Sequence, residues 1–390
     1  MNTTRRNFIS TASAIAGIPS ITVAAEASRK PSLPLAPPDK QPESLTVDEA
    51  PEKQLGYAIV GLGKLALEEV MPAFGECRLA RPVALVSGHP DKALKIAKAY
   101  GIPETAIYDY ENFDKIIDDA SIDVVYIILP NSMHADFTIR ALKAGKHVLC
   151  EKPMSVTVAE GESMARAAKE AGKKLGIAYR LHYEPLNQQV MKWCKEKRFG
   201  EIKSFNSSNC QTVEAPNIRL SKKLGGGPVG DTGVYSINAA RYVINEEPTK
   251  VTAVAHFPED DPRFTEVPKS VAFIMTYPSG VIACCDTSFG TSESRRYRIQ
   301  CEKGFIEMDP AFSYRGLNLK TNEDENGSAK ATEISIRQVN HFAAEMDGFA
   351  KAILNGTDVP TPASMGIADM KIIAAIKKSY ETGAPVNVEA

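Results

Sequence analysis

Three residues in this sequence have the types and spacing to move a proton. Lys152 closes the motif Glu151-Lys152-Pro153, which follows the apolar run His147-Val148-Leu149-Cys150. Asp231 and Tyr235 stand four residues apart just after the glycine-rich stretch Gly225-Gly226-Gly227. Residues four apart share a helical face, and Asp231 at a helix start suits the helix dipole. A carboxylate and a phenol side by side can hold a hydroxyl group and exchange its proton. Tyrosine is a poor base at its ordinary pKa of about 10, but a neighbouring ammonium such as that of Lys152 favours the phenolate. The bland alternative makes Asp231 a helix cap, Tyr235 a core residue and Lys152 a surface lysine in a turn. The buried strand before Lys152 and the proline after it, whose preceding peptide bond can be cis, argue against that for the lysine.

The elements that must position these groups begin at Leu55. Gly56-Tyr57-Ala58-Ile59-Val60 is a buried strand, followed at once by Gly61-Leu62-Gly63-Lys64-Leu65-Ala66 and a helical stretch to about Phe74. This is a G-x-G-x-x-A pattern in strand-turn-helix context. Gly61 permits the tight turn, Gly63 lets a pyrophosphate approach the backbone, and Ala66 keeps the helix close to the sheet. Lys64 and Leu65 then open the helix whose N-terminus faces the phosphates. The next strand, 82–86, ends in Ser87-Gly88-His89-Pro90-Asp91-Lys92. Ser87 stands where an NAD enzyme usually has an acid, and Lys92 is close enough to pair with a 2′-phosphate, so NADP is expected over NAD. Asp91 reads as a helix-start residue. The strand 124–129 is buried throughout, and Leu129, Pro130, Asn131 and His134 lie at its carboxyl end. Asn131 and His134 could touch the ribose or nicotinamide, or simply cap the next helix. Lys152 and Glu151 end the following strand at the same sheet edge, where ligands of open α/β sheets bind.

Residues 55–178 therefore read as a Rossmann NADP-binding domain, and 179–390 as a C-terminal substrate and oligomerisation domain. The crossover Tyr179-Arg180-Leu181-His182-Tyr183-Glu184-Pro185 is dense in groups that contact sugars, and Tyr179, Arg180 and His182 are candidates there, Arg180 for the cofactor as well. Repeated strands between 249 and 319 read as a large open, mainly antiparallel sheet with one covered face and one polar face, the latter a possible oligomer interface. Helices near 339–354 and 362–381 end the chain and can pack back on the Rossmann domain. The fold class is α/β, a Rossmann domain joined to an α+β domain.

Ahead of these domains, residues 1–27 read as a twin-arginine signal peptide. Thr4-Arg5-Arg6-Asn7-Phe8-Ile9 is the twin-arginine pattern, and Ala25-Glu26-Ala27 offers a cleavage site. Export of a folded protein by the twin-arginine (Tat) machinery to the periplasm is the expectation. Residues 28–54, with six prolines, form an extended arm or spacer. The net charge of −2 over 390 residues gives no field for nucleic acid or an anionic membrane. The seven cysteines are scattered, with no C-x-x-C spacing, which argues against a metal site.

These motifs resemble those of the Gfo/Idh/MocA oxidoreductases, and within that family the glucose–fructose oxidoreductase type. The likeness rests on Gly56–Lys64, on Val125-Tyr126-Ile127-Ile128-Leu129-Pro130-Asn131-Ser132, on Ala144-Gly145-Lys146-His147-Val148, on Glu151-Lys152-Pro153 and on Asp231 with Tyr235. The resemblance implies a tightly held NADP, oxidation of an aldose at C1 to a lactone, and reduction of a second sugar to a polyol in a ping-pong cycle. It implies Lys152 as catalytic lysine, Tyr235 as proton-transferring tyrosine, and Asp231 as the aspartate that positions substrate; His182 and Arg219 are further candidates for holding the substrate. It also implies 2′-phosphate contacts from Ser87 and Lys92, and a tetramer or dimer whose arm embraces a neighbour's nucleotide. Two stretches depart from the family: the arm matches poorly, and the segment 213–219 is shorter and lacks a tryptophan before Arg219. Two other readings stay open, an ordinary dehydrogenase with exchangeable NADP and a sugar-binding relative with no turnover.

Overall fold

The computed structural model describes residues 53–325 and 328–389. The twin-arginine segment and all but the last two residues of the proline-rich arm lie outside the described residues.

Strand β1 (Leu55–Val60) is buried at every position. A strand with no polar alternation must be covered on both faces, which is the signature of a parallel sheet between helices. Its sheet contains β2 (Ala80–Val86), β3 (Ile107–Tyr108), β4 (Val124–Ile127), β5 (His147–Glu151) and β6 (Leu175–Ala178). The order is β3-β2-β1-β4-β5-β6, and every pair is parallel. The chain reverses direction across the sheet between β1 and β4, so a crevice opens at their carboxyl ends. Gly61, Leu129 to Asn131 and Lys152 all follow strands on that edge. The helix after the glycine turn is not one continuous α-helix: a π-helical turn, Ala66–Val70, runs into the short α1 (Met71–Ala73). The other helices here are α2 (Pro90–Tyr100), α3 (His134–Lys143) and α4 (Val158–Ala171). A reciprocal capping box of Thr157 and Glu160 fixes the start of α4.

The second sheet has nine strands. They are β7 (Ile202–Thr212), β8 (Lys250–His256), β9 (Ser270–Thr276), β10 (Ile282–Ser288), β11 (Gly290–Cys301), β12 (Gly304–Met308), β13 (Leu319–Glu325), β14 (Ser328–Ile334) and β15 (Val386–Asn387). The order is β14-β13-β12-β11-β7-β10-β9-β8-β15. Only β7 and β10 pair in parallel; the other seven pairings are antiparallel. Alternation sets its two faces. Val251, Val271, Phe273, Met275, Ala283 and Cys285 point inward, while Val254, Ile274, Ile282 and Cys284 are exposed. The inner face is covered by α6 (Val234–Ile244) on β7 and β10 and by α8 (Ala363–Thr382) on β8, with α5 (Pro185–Lys195) packed against α6.

The end of the chain returns to the first sheet. Helix α7 (His341–Leu354) packs beside β2, and the Tyr57 hydroxyl in β1 donates to the Met346 carbonyl at 2.8 Å. Ile177 in β6 donates to the Thr361 carbonyl at 2.9 Å. Gly176 makes this docking possible: a Cβ there would lie 2.8 Å from the Phe349 ring. The substitution Gly176→Ala is expected to lower stability by about 1–3 kcal/mol through overpacking. A thermal midpoint equal to that of the parent protein would show that α7 does not seat flush on β6.

Candidate active site

Lys152 leaves the end of β5 through a cis peptide bond to Pro153. Its ammonium donates to the Asp231 carbonyl at 2.9 Å and lies 3.5 Å from the Asp231 carboxylate. It also stands 4.6 Å from the centre of the Tyr235 ring. Burial disfavours its charge, but Tyr235, Asp231 and Glu151 outweigh burial and hold its pKa above the ordinary value. Asp231 belongs to a π-helical turn, Val229–Gly233, that precedes α6. Its carboxylate accepts from Arg219 Nε at 2.6 Å and from Gln211 Nε2 at 3.3 Å. Burial alone would raise its pKa, yet Arg219 and Lys152 hold it below the usual carboxylate value. Asp231 is thus less a helix-start residue facing the dipole than an anion between two cations.

A second cation lies against Tyr235. The Arg180 guanidinium is buried, 5.3 Å from the Tyr235 ring centre and 4.7 Å from that of Tyr314. It donates to the carbonyls of Phe312 at 2.6 Å and Ser313 at 3.2 Å, and stands 2.8 Å from His341 Nδ1. Phe312 packs on Tyr235 with ring centres 5.8 Å apart. Beneath Lys152, the Tyr126 hydroxyl lies 2.9 Å from Glu151 and 3.3 Å from Glu345. One phenolic hydrogen cannot serve both carboxylates at once. Burial raises the pKa of both acids in the same direction.

The carboxyl edge of the first sheet fits a dinucleotide. Gly61 has φ +95°, and a Cβ on it would lie 2.3 Å from the Ile128 carbonyl oxygen, so only glycine serves this turn. A Cβ on Gly63 would meet nothing within 4 Å, which leaves the backbone open to a close-lying pyrophosphate. Lys92 donates to the Leu62 carbonyl at 3.2 Å, which brings its ammonium to the glycine turn. Ser87 is buried at the end of β2, its hydroxyl accepting from the His89 amide at 3.1 Å. Lys64 is exposed and 3.8 Å from Glu68, and Leu65 and Pro130 are half-buried. Leu129 is buried, and Asn131 donates to the Gly225 carbonyl at 2.9 Å, tying this edge to the glycine loop of the second domain.

Several expected roles do not match the geometry. His134 is fully buried, with one ring nitrogen 2.9 Å from the Pro153 carbonyl and the other 2.9 Å from that of Leu129. It clamps the Lys152-Pro153 turn to the end of the neighbouring strand and keeps no nitrogen for a cofactor. His182 is engaged elsewhere: its Nε2 stands 2.8 Å from Asn238 Oδ1 and its ring packs on Tyr242. Tyr179 is buried, its phenol against Asp369, which together with burial pushes its pKa well up. The short 3-10 turn Arg180–Tyr183 sends Arg180 to Tyr235 and His182 to Asn238 and Tyr242, one to two turns further along α6. The Arg180 and Glu151 side chains are likewise committed to the interior rather than open to a ligand. Tyr314 and Gln211 were not singled out by the sequence. Tyr314 sits in a coil between β12 and β13 with no motif around it, and Gln211 reads as an ordinary strand residue.

A dinucleotide crevice whose rim carries a lysine, a carboxylate and a phenol defines a nicotinamide-dependent oxidoreductase. Residues 55–179 match the oxidoreductase family with NAD-binding Rossmann fold, and residues 187–307 match the GFO/IDH/MocA C-terminal domain. The chain belongs to the Gfo/Idh/MocA oxidoreductase family. The crystal structure of aldose-aldose oxidoreductase from Caulobacter crescentus is similar over 86% of this chain and 100% of that one, at 41% identity and a TM-score of 0.83. D-xylose 1-dehydrogenase (NADP(+)) 2 of Haloferax volcanii is 29% identical over 343 residues, 85% of this chain and 99% of its own. D-xylose 1-dehydrogenase [NADP(+)] of Haloarcula marismortui is 27% identical over 350 residues, 87% of this chain and 95% of its own.

Two predictions follow from this geometry. Gly63→Val is expected to abolish dinucleotide binding while leaving the thermal midpoint near that of the parent, because its side chain enters open space; calorimetric titration with NADP checks it. The second concerns acid. Burial lowers the His182 pKa to about 4, against about 6.5 in an unfolded chain. Between those values the unfolded state binds the extra proton, so stability falls as pH falls. His182→Gln, which keeps a donor for Asn238, should flatten the decline of thermal midpoint between pH 6.5 and 4. An unchanged slope would mean that His182 is not held neutral.

Proposed function

We propose that this protein is an NADP-dependent sugar oxidoreductase that oxidises an aldose at C1 to the lactone and reduces a second sugar with the same bound cofactor. The observation that carries the reading is the convergence of Lys152, Asp231 and Tyr235 at the mouth of the dinucleotide crevice. The 41% identity to an aldose-aldose oxidoreductase supports an aldose as donor and a second aldose as acceptor. Lys92 beside the glycine turn and Ser87 in place of an acid support NADP over NAD.

The bound dinucleotide supplies the hydride acceptor in one half-reaction and the hydride donor in the other. Tyr235 takes the proton of the C1 hydroxyl. Lys152 stabilises the phenolate that accepts this proton and the negative charge that then develops on the sugar oxygen, and Arg180 adds a second cation against the same ring. Asp231, kept ionised by Lys152 and Arg219, accepts a hydrogen bond from the sugar and orients it. In the return direction Tyr235 gives the proton to the carbonyl oxygen of the acceptor. The twin-arginine pattern supports export of the folded protein to the periplasm, and the exposed row Val254, Ile274 and Ile282 supports pairing of copies through the second sheet.

A second reading, an ordinary dehydrogenase with exchangeable NADP, is favoured by the similarity to the two D-xylose 1-dehydrogenases. Purified protein with no cofactor added decides between them. If the near-ultraviolet absorbance of reduced nicotinamide rises on adding an aldose and falls on adding a second sugar, the cofactor is resident. A response only after NADP is supplied favours the second reading. In either case Tyr235→Phe should slow the oxidative half-reaction by at least about 100-fold, and near-parent rates would remove Tyr235 from proton transfer.

A further inference from the structure

The coil between β12 and β13 brings a second phenol to the site. Tyr314 is 37% exposed, whereas Phe312 two residues earlier is buried. Its ring is held on one side by the Arg180 guanidinium at 4.7 Å, and it meets Phe342 edge to face with centres 5.3 Å apart. Arg180 is itself fixed by the carbonyls of Phe312 and Ser313 and stacks on Tyr235 as well. The two phenols thus share one guanidinium, and their ring centres cannot stand more than 10.0 Å apart. Neither hydroxyl makes a hydrogen bond among the described residues. The coil is anchored across the crevice too, because Arg315 donates to Glu69 in the π-helical turn behind the glycine motif at 3.2 Å.

We propose that Tyr314 is a specificity-determining residue that exchanges hydrogen bonds with the C2 hydroxyl of the sugar, the oxygen beside the one that Tyr235 deprotonates. The proposal rests on the sugar oxidoreductase reading above. A phenol both donates and accepts. Of the two oxygens next to the C1 hydroxyl, the C2 hydroxyl does both and the ring oxygen only accepts, so the C2 hydroxyl can use both capacities. Burial and the neighbouring Tyr235 push the Tyr314 pKa up to about 12, so it remains a donor near neutral pH. The division of labour is then clear: Tyr235 exchanges the proton of the reacting hydroxyl, and Tyr314 holds the neighbouring one. A site that hydrogen-bonds a substrate hydroxyl discriminates strongly against the analogue that lacks it.

The test compares Tyr314→Phe with the parent protein on the aldose oxidised fastest and on its 2-deoxy and 3-deoxy counterparts. Phenylalanine keeps the ring on Arg180 and Phe342, so the fold is preserved and the thermal midpoint should not move. The expected result is a loss of about tenfold in kcat/KM for the parent aldose and for the 3-deoxy sugar, with none for the 2-deoxy sugar. Parent-like kcat/KM in the variant, or an equal loss with the 2-deoxy sugar, overturns the assignment while leaving the sugar reading intact. A parent protein that oxidises no aldose with NADP supplied overturns the sugar reading and this inference with it.

Discussion

The carboxylate of Asp231 is the interaction on which the site depends. It comes from the second domain, and it sits between a lysine from the end of the first sheet and an arginine from the loop before the glycine stretch. A buried ammonium without a partner is costly, and removing one member of such a pair leaves an uncompensated charge. Lys152 therefore cannot reach its place unless the two domains close on each other in one register. The same contact that makes the lysine tolerable also aims it at the Tyr235 ring. Position and charge are settled by one carboxylate.

Around that triad the scaffold removes freedom. His134 joins the Leu129 strand end to the Pro153 carbonyl, so the turn bearing Lys152 is braced from the side. Arg180 braces Tyr235 from another direction and gathers the coil that carries Tyr314. Helix α7, from the far end of the chain, provides His341 against Arg180 and Glu345 against Tyr126. Residues separated by more than two hundred positions thus share one buried polar cluster. Such clusters are stable only when nearly every member is satisfied, which places demands on the packing of α7 against the first sheet.

Much of this was legible in the sequence. The unbroken apolar run 56–60 and the glycines after it fix strand, turn and crevice through sterics that act locally. The alternation in 251–257 and 270–277 fixes a sheet with one covered face for the same reason. Lys152, Asp231 and Tyr235 were legible because each sits at a defined place in such an element. His134, Tyr179 and His182 were misjudged because a polar side chain near a site in sequence can turn either way. Only the packing of α3, α6 and α8 decides which way each one turns. Tyr314 was invisible because a coil has no period, and what makes it matter is a guanidinium more than a hundred residues away. The π-helical turns at Ala66–Val70 and Val229–Gly233 were also beyond pattern reading, which expects continuous α-helix at both places.

The hydrogen bond from Asn131 to the Gly225 carbonyl links the two domains directly at the mouth of the crevice. It joins the loop at the dinucleotide edge to the loop that leads into Asp231. Free energy is a state function, so a preference of the sugar pocket for one redox state of the cofactor must be matched by an equal preference of the cofactor site for an occupied pocket. Because this hydrogen bond spans the seam between the two domains, whatever strengthens it on one side is felt on the other.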